Sequence, residues 1–172
     1  MSNGKTFALL IGLFTGILVS IVLIRMMRKD RALKAEYDER QELIRGKAYK
    51  GAFFVSLIGN AIIICLADVF SKYISITLLL FSVMLLSVLV YAVYCIMKDA
   101  YFGLNDSPLR FIVICAVIGI FNFVIGAVTI CKEHPTLTST YPSGYLNVVC
   151  GLMFMVLFFA MMMKKIISKQ EN

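Results

Sequence analysis

Two amides near the middle of long apolar stretches and the one carboxylate within such a stretch are the first candidates for chemistry. Asn60 and Asn122 each lie near the middle of an apolar stretch, and Asp68 lies near the end of the stretch that contains Asn60. An amide among apolar groups needs a hydrogen-bond partner, and a carboxylate there needs a cation or a proton. These residues could therefore line a path for a polar substrate, or they could serve only to join helices.

Each of these positions has a functional and a structural interpretation. Asn60 and Asn122 could bond each other across two helices, or they could contact a transported substrate. Asp68 could bind a proton or a cation, or it could pair with Lys72, four residues further along the chain. The residues alone leave both interpretations open.

The residue patterns that usually support catalysis or metal binding are missing from the sequence. The chain has one histidine, His134, and five cysteines without a CxxC spacing. It contains no HExxH, GxSxG or P-loop motif and no pair of carboxylates within one apolar stretch. We therefore predict no enzyme activity, no metal and no cofactor. The cysteines are expected to pack as small apolar residues, with a Cys131–Cys150 disulfide as the alternative.

Composition and charge distribution place these residues in a membrane. Of the 172 residues, 60% are hydrophobic and 16% are charged, and every charged residue except Asp68 lies outside five long apolar stretches. A helix needs roughly 20 residues to cross a bilayer, whereas a barrel strand would alternate in polarity. The pattern excludes a soluble enzyme and predicts an all-α polytopic membrane protein, a single domain with five transmembrane helices. The predicted spans are residues 7–24, 52–70, 74–97, 111–131 and 146–163.

The distribution of basic residues predicts the orientation of the chain in the membrane. The segments on alternate sides of the predicted spans carry 14 and 3 of the 17 Lys and Arg residues. Basic residues concentrate on the cytoplasmic side, which predicts an external N-terminus and a cytoplasmic C-terminus in a cell (inner) membrane. We expect residues 7–24 to be retained as a span, because this apolar core is longer than that of a cleaved signal peptide.

The segment 28–50 is the only sizeable cytoplasmic piece in this topology. It consists mainly of helix-forming residues, and Asp38 followed by Gln41 resembles a capping box. We predict a helical hairpin whose second helix begins at Asp38 and continues into the span 52–70. Its basic residues could hold anionic lipid or dock an acidic partner, or they could act only as a topology signal. The net charge of +7 does not indicate nucleic-acid binding, because no folded basic domain presents it.

Two short motifs resemble those of a group of bacterial membrane proteins. The chain reads DERQELIRGKAYK at residues 38–50, immediately before an apolar stretch, and DAYFGL at residues 99–104. The first resembles the DERQ…RGKA signature of small uncharacterised multi-pass membrane proteins of Gram-positive bacteria, and the second is similar to their second cytoplasmic motif. The resemblance implies a bacterial inner membrane, and it carries no catalytic residues and no assigned chemistry.

Both motifs fall on the predicted cytoplasmic side of the membrane. We expect them to meet below the bundle as a gate or a docking platform, with independent solvated loops as the alternative. The candidate docking residues are basic in the first motif and acidic in and after the second: Arg40, Arg45, Lys47, Asp99 and Asp106.

The predicted function is that of a non-enzymatic accessory or regulatory subunit. It would bind another membrane protein or a second copy of itself, with anionic lipid at the inner face and no nucleic acid. The alternative is a small oligomeric transporter or channel lined by Asn60, Asn122 and Asp68.

The predicted topology can be tested by labelling from the two sides of the membrane. With the native cysteines replaced, Ser2→Cys should react with an impermeant maleimide in intact cells, whereas Asn172→Cys should react only after permeabilisation. Lysed cells, in which both positions react, serve as the control. Labelling of both positions from the same side would contradict the odd number of spans.

Overall fold

The structure is a computed structural model that describes residues 37–103, 108–140 and 142–170. These ranges contain helices and the connections between them, in agreement with the all-α prediction. The helices are α1 (Glu39–Cys65), α2 (Ala67–Phe70), α3 (Ile76–Met97), α4 (Pro108–Glu133) and α5 (Ser143–Gln170). Four of them are long, and α2 forms a single turn between α1 and α3.

The four long helices run antiparallel to their neighbours in the sequence, so their ends fall into two groups. α1 packs against α3, α3 packs against α5, and α5 packs against α4. α1 and α4 begin at the end of the bundle at which α3 and α5 finish. We call this the Asp99 end, after a residue in the α3–α4 connection, and we call the opposite one the His134 end.

Four of the five predicted spans correspond to helices of the structure. α1, α3, α4 and α5 are each long and apolar enough to cross a membrane. The first predicted span, residues 7–24, lies outside the described residues. α4 and α5 extend past both ends of the predicted spans 111–131 and 146–163, because the helical conformation continues into the less apolar flanking residues.

The helix of the second predicted span, residues 52–70, ends earlier than the sequence indicated. α1 finishes at Cys65, and Leu66 leaves the helical conformation with φ −107° and ψ 19°. Asp68 therefore lies on the short α2, where its side chain is exposed. The break keeps this carboxylate out of the membrane-spanning helix and so avoids the desolvation of a charge among apolar groups.

α1 begins where the sequence predicts, at a capping box formed by Asp38 and Gln41. The Gln41 N–H donates to the Asp38 carboxylate at 2.6 Å, and the Asp38 N–H donates to Gln41 Oε1 at 3.3 Å. These bonds satisfy N–H groups that have no partner within the helix. The second helix of the predicted hairpin is thus confirmed, and its first helix would fall in residues 28–36, outside the described ranges.

The most extensive helix contact in the described part of the chain joins α4 to α5, and glycines make it close. A Cβ atom added at Gly126 would lie 2.7 Å from the Gly144 carbonyl oxygen, and one added at Gly151 would lie 2.7 Å from the Phe123 nitrogen. Because Cβ atoms do not approach backbone atoms this closely, only glycine fits both positions. Small residues permit the same approach in many membrane helix pairs.

Large apolar side chains cover the outward faces of all four long helices. Phe53 on α1, Val88 on α3, Phe121 on α4 and Phe159 on α5 are each at least 48% exposed. Water would make such a surface prone to association, whereas acyl chains solvate it without cost. The outward faces therefore agree with helices that cross a bilayer.

The α4–α5 contact predicts that two glycines tolerate alanine differently. Gly151→Ala should lower the free energy of unfolding by about 1–3 kcal/mol, because the new methyl group must push the helices apart. Gly51→Ala on α1 should be neutral or stabilising by up to about 1 kcal/mol, since nothing lies within 4 Å of its added Cβ. Unfolding in mixed micelles of increasing SDS content measures both. An equal loss in the free energy of unfolding for the two variants would contradict the close packing of α4 against α5.

Candidate functional site at the Asp99 end

The turn that follows α3 adopts a left-handed conformation at Asp99, with φ 57°. The two hydrogen bonds of a Schellman motif close it: the Ala100 N–H donates to Cys95 O at 2.8 Å, and the Asp99 N–H donates to Ile96 O at 3.2 Å. Cys95 and Ala100 are fully buried and supply the apolar contact of this motif. The helix end is therefore well anchored, although glycine is the usual residue at the left-handed position.

Gln41, in the first turn of α1, binds the turn that follows α3. Its Nε2 donates to Asp99 O at 2.8 Å and to Phe102 O at 3.3 Å, while its Oε1 accepts from the Asp38 N–H. The residue is 8% exposed, and both ends of its amide have partners, as a buried amide requires. The two sequence motifs thus meet in the folded protein instead of forming independent loops.

The Asp99 side chain connects the same turn to α5. Its Oδ2 lies 2.7 Å from Lys164 Nζ, the one ion pair among the residues that the structure describes. The carboxylate is 59% exposed and the ammonium 23%, so solvent screens the pair and its contribution to stability is about 0–1 kcal/mol. α1, the α3–α4 connection and α5 therefore meet in one polar junction, formed by Gln41, Asp99 and Lys164.

The two candidate arginines contact groups other than the Asp99 carboxylate. Arg40 Nη2 donates to Lys98 O at 3.4 Å, which adds a weak bond between the two motifs. The Arg45 guanidinium lies 3.9 Å from the centre of the Tyr37 ring, a cation–π distance. The pairing of either arginine with Asp99 is not formed, because Lys164 of α5 is the cation that reaches this carboxylate.

Lys47 and Asp106 complete the set of candidate docking residues. Lys47 is exposed and lines an open groove along α1 together with Glu42 and Lys50. Because this groove carries both signs of charge, it suits a polar partner better than acyl chains. Asp106 lies outside the described residues.

The two amides near the middle of the predicted spans 52–70 and 111–131 are not brought together. Asn60 Nδ2 donates to Ser56 O at 2.7 Å, and Asn122 Nδ2 donates to Ile118 O at 2.9 Å, so each amide bonds the preceding turn of its own helix. α1 carries Asn60 and packs against α3, whereas α4 carries Asn122 and packs against α5. The bond between Asn60 and Asn122, one of the two interpretations that the sequence left open, is therefore not formed.

The candidate groups nearer the His134 end are also separate from one another. Asp68 is exposed on α2 and does not form the ion pair with Lys72 that the spacing allows. Cys131 and Cys150 are free, the first exposed and the second half-buried, so the alternative disulfide is not formed. Within the described ranges, no group of three or more His, Cys, Asp or Glu side chains is arranged to hold a metal ion.

A half-open cavity of about 480 Å³ lies beside the polar junction, between the α3–α4 connection and the adjoining ends of α4 and α5. Its floor is apolar and includes the nearly buried side chains of Ile96, Ile112 and Met161. Tyr101 lines it as well, and burial raises the pKa of this phenol, which therefore stays neutral at physiological pH. Lys165 is exposed at its mouth, so we call it the Lys165 cavity.

Sequence reasoning identifies Asp99 as a contact residue but misses the two side chains that bind it. The sequence marks Gln41 only as part of a capping box, while its other bonds go to a turn 58 residues away. Lys164 counts only as one of several basic residues after the last apolar stretch. One feature of the sequence could have drawn attention to Gln41: its capping box with Asp38 lies within the longer motif of residues 38–50.

These observations define the class of the protein. Four apolar helices, each able to span a bilayer and joined by short connections, indicate a multi-pass integral membrane protein. No family model matches the chain, and comparisons with curated proteins and with solved structures gave no match either. The resemblance of its motifs to bacterial membrane proteins therefore stays a prediction.

The polar junction predicts a marked loss of stability for Gln41→Glu. The new carboxylate would face Asp99 O and Phe102 O without an N–H to donate, so the free energy of unfolding should fall by about 1–3 kcal/mol. This carboxylate would still accept a hydrogen bond from the Asp38 N–H. The loss of stability would therefore not come from a lost helix cap. Glu42→Gln, exposed on the same turn, should change stability by less than about 0.5 kcal/mol.

Thermal unfolding in detergent at several pH values measures the effect of this substitution. Acidification toward about pH 4.3, the ordinary pKa of glutamic acid, should restore part of the lost stability, because a protonated carboxyl group can donate. A Gln41→Glu protein as stable as the wild type at neutral pH would show that the two bonds do not hold the junction.

Proposed function

We propose that this protein is a non-enzymatic accessory or regulatory subunit that binds another membrane component with the Asp99 end of its bundle. The polar junction is the observation that carries the proposal. Gln41 holds the α3–α4 connection against the start of α1. A surface that is already ordered in this way loses little conformational entropy when a partner binds. Lys47 and Glu42 remain exposed next to it and offer charges to that partner.

The positions of the polar side chains favour this role over transport. Asn60 and Asn122 each bond their own helix, and Asp68 lies on the connection beyond α1. A path through an apolar bundle needs polar groups that face one cavity at successive depths. A small oligomeric transporter or channel is the alternative, and in it these positions would line a path between copies.

We infer further that the Asp99 end faces the cytoplasm. An excess of basic residues on one side of a membrane is typical of the cytoplasmic side, where anionic lipid also gathers. Lys72 and Lys132 are the basic residues described at the His134 end. Those described at the Asp99 end are Arg40, Arg45, Lys47, Lys50, Lys98, Arg110, Lys164, Lys165 and Lys169.

The proposal predicts that reversing one exposed charge on α1 releases the partner. Purification of the tagged full chain from its native membranes in mild detergent should recover a stoichiometric membrane component. Lys47→Glu should weaken its retention by about tenfold or more, because a like-charge contact opposes binding. The matched variant Lys132→Glu at the His134 end should retain the partner as the wild type does.

Two results would contradict this role. Equal retention of the partner by wild type and Lys47→Glu would show that the partner does not bind the α1 surface around Lys47. Ion or solute flux into liposomes that contain only this protein, with flux lost in Asn122→Ala, would favour the transporter or channel.

A further inference from the structure

We propose that the Lys165 cavity binds one anionic phospholipid, with the phosphate group at Lys165 and Lys164 and the acyl chains along α4. This assignment goes beyond the proposed partner of the Asp99 end and does not depend on it. The cavity volume of about 480 Å³ lies within the range of roughly 300–1,000 Å³ that is typical of small-molecule sites.

The charged groups among the described lining residues are Lys164 and Lys165 on α5 and Asp99 in the α3–α4 connection. Lys165 is exposed and has no carboxylate within ion-pair distance among the described residues. Lys164 pairs with Asp99, yet its ammonium carries three N–H donors and the ion pair needs only one of them. Because Lys164 neutralises Asp99, the formal charge left among the described residues that line the cavity is the positive charge of Lys165, which favours an anion.

The apolar floor of the cavity leads onto a surface that suits acyl chains. Leu109 lines the cavity and is 58% exposed. Val113 and Val117 follow at intervals of four residues and are 55% and 61% exposed, so the three side chains form one stripe along α4. A ligand with a phosphate group at the lysines could therefore place its chains past Leu109 and onto the part of this stripe that lies outside the cavity.

The depth of the cavity also fits a phospholipid headgroup. Lys164 and Lys165 follow directly after the last apolar residues of the predicted span 146–163. Basic side chains just beyond an apolar span lie at the level of the headgroups, where pockets between helices bind anionic lipids. An acidic segment of a partner protein would satisfy the lysines but would leave the apolar stripe of α4 without a matching group.

Lipid titration of the full-length protein in a non-ionic detergent, followed by native mass spectrometry, tests the site. Phosphatidylglycerol should bind as one molecule and more tightly than phosphatidylcholine with the same acyl chains. Lys165→Gln should weaken phosphatidylglycerol binding about fivefold and leave phosphatidylcholine binding unchanged, because one charge contact is lost. Lys132→Gln removes the same charge at the His134 end and should have no effect.

A second variant tests the apolar part of the site. Leu109→Trp fills the mouth of the cavity from an exposed position, so it should lower the binding of phosphatidylglycerol while the thermal midpoint of the lipid-free protein stays at the wild-type value. Inorganic phosphate should not compete at concentrations that saturate the lipid, because it lacks the chains.

Several outcomes would overturn the assignment. Equal weakening by Lys165→Gln and Lys132→Gln would reduce it to a general surface charge effect. Full competition by inorganic phosphate would make the site one for a free anion. Displacement of the lipid by an acidic peptide at equal concentration, with Leu109→Trp without effect on either ligand, would assign the lysines to a protein partner.

Discussion

The amide of Gln41 bridges two backbone segments, and the arrangement of the Asp99 end depends on this bridge. Its Oε1 completes the start of α1, and its Nε2 binds carbonyl groups of the turn after α3. A buried amide or carbonyl without a partner costs about 1–3 kcal/mol, so each segment holds the other in place. The exposed ion pair of Asp99 with Lys164 then adds α5 to the same point with a weaker interaction.

The long helices rely on a different kind of contact. Lipid chains are as apolar as the helix surfaces, so burial of apolar area gives little net attraction between helices. Close backbone approach at Gly126 and Gly151 supplies van der Waals contact between α4 and α5 instead. Asn60 on α1 and Asn122 on α4 bond their own helices and add nothing between them. Polar contacts between distant segments therefore lie at the ends of the bundle: Gln41 forms them at the Asp99 end, and at the His134 end the Ser75 N–H donates to Leu137 O at 2.7 Å.

Local patterns made much of the fold predictable, and contacts between distant segments made the rest unpredictable. Apolar runs of sufficient length located the four described long helices, and Asp38 with Gln41 located the start of α1. The apolar run 74–97 also located the end of α3 at Met97, but the left-handed turn that follows carries no such signal, because Asp99 stands where glycine would mark it. Which cation reaches Asp99 depends on the packing of α3 against α5, so the candidate contacts taken from the sequence were the basic residues of the first motif and did not include Lys164.

The order of helix packing also determines when each contact becomes available during synthesis. A membrane chain is inserted from its N-terminal side, so α1 and α3 can meet before α5 has been made. Gln41 can therefore bind the Asp99 turn early, since the capping box and the Schellman bonds lie within the segments already present. Lys164 arrives last, with the end of α5, and so the ion pair marks the completion of a junction whose other bonds are already formed.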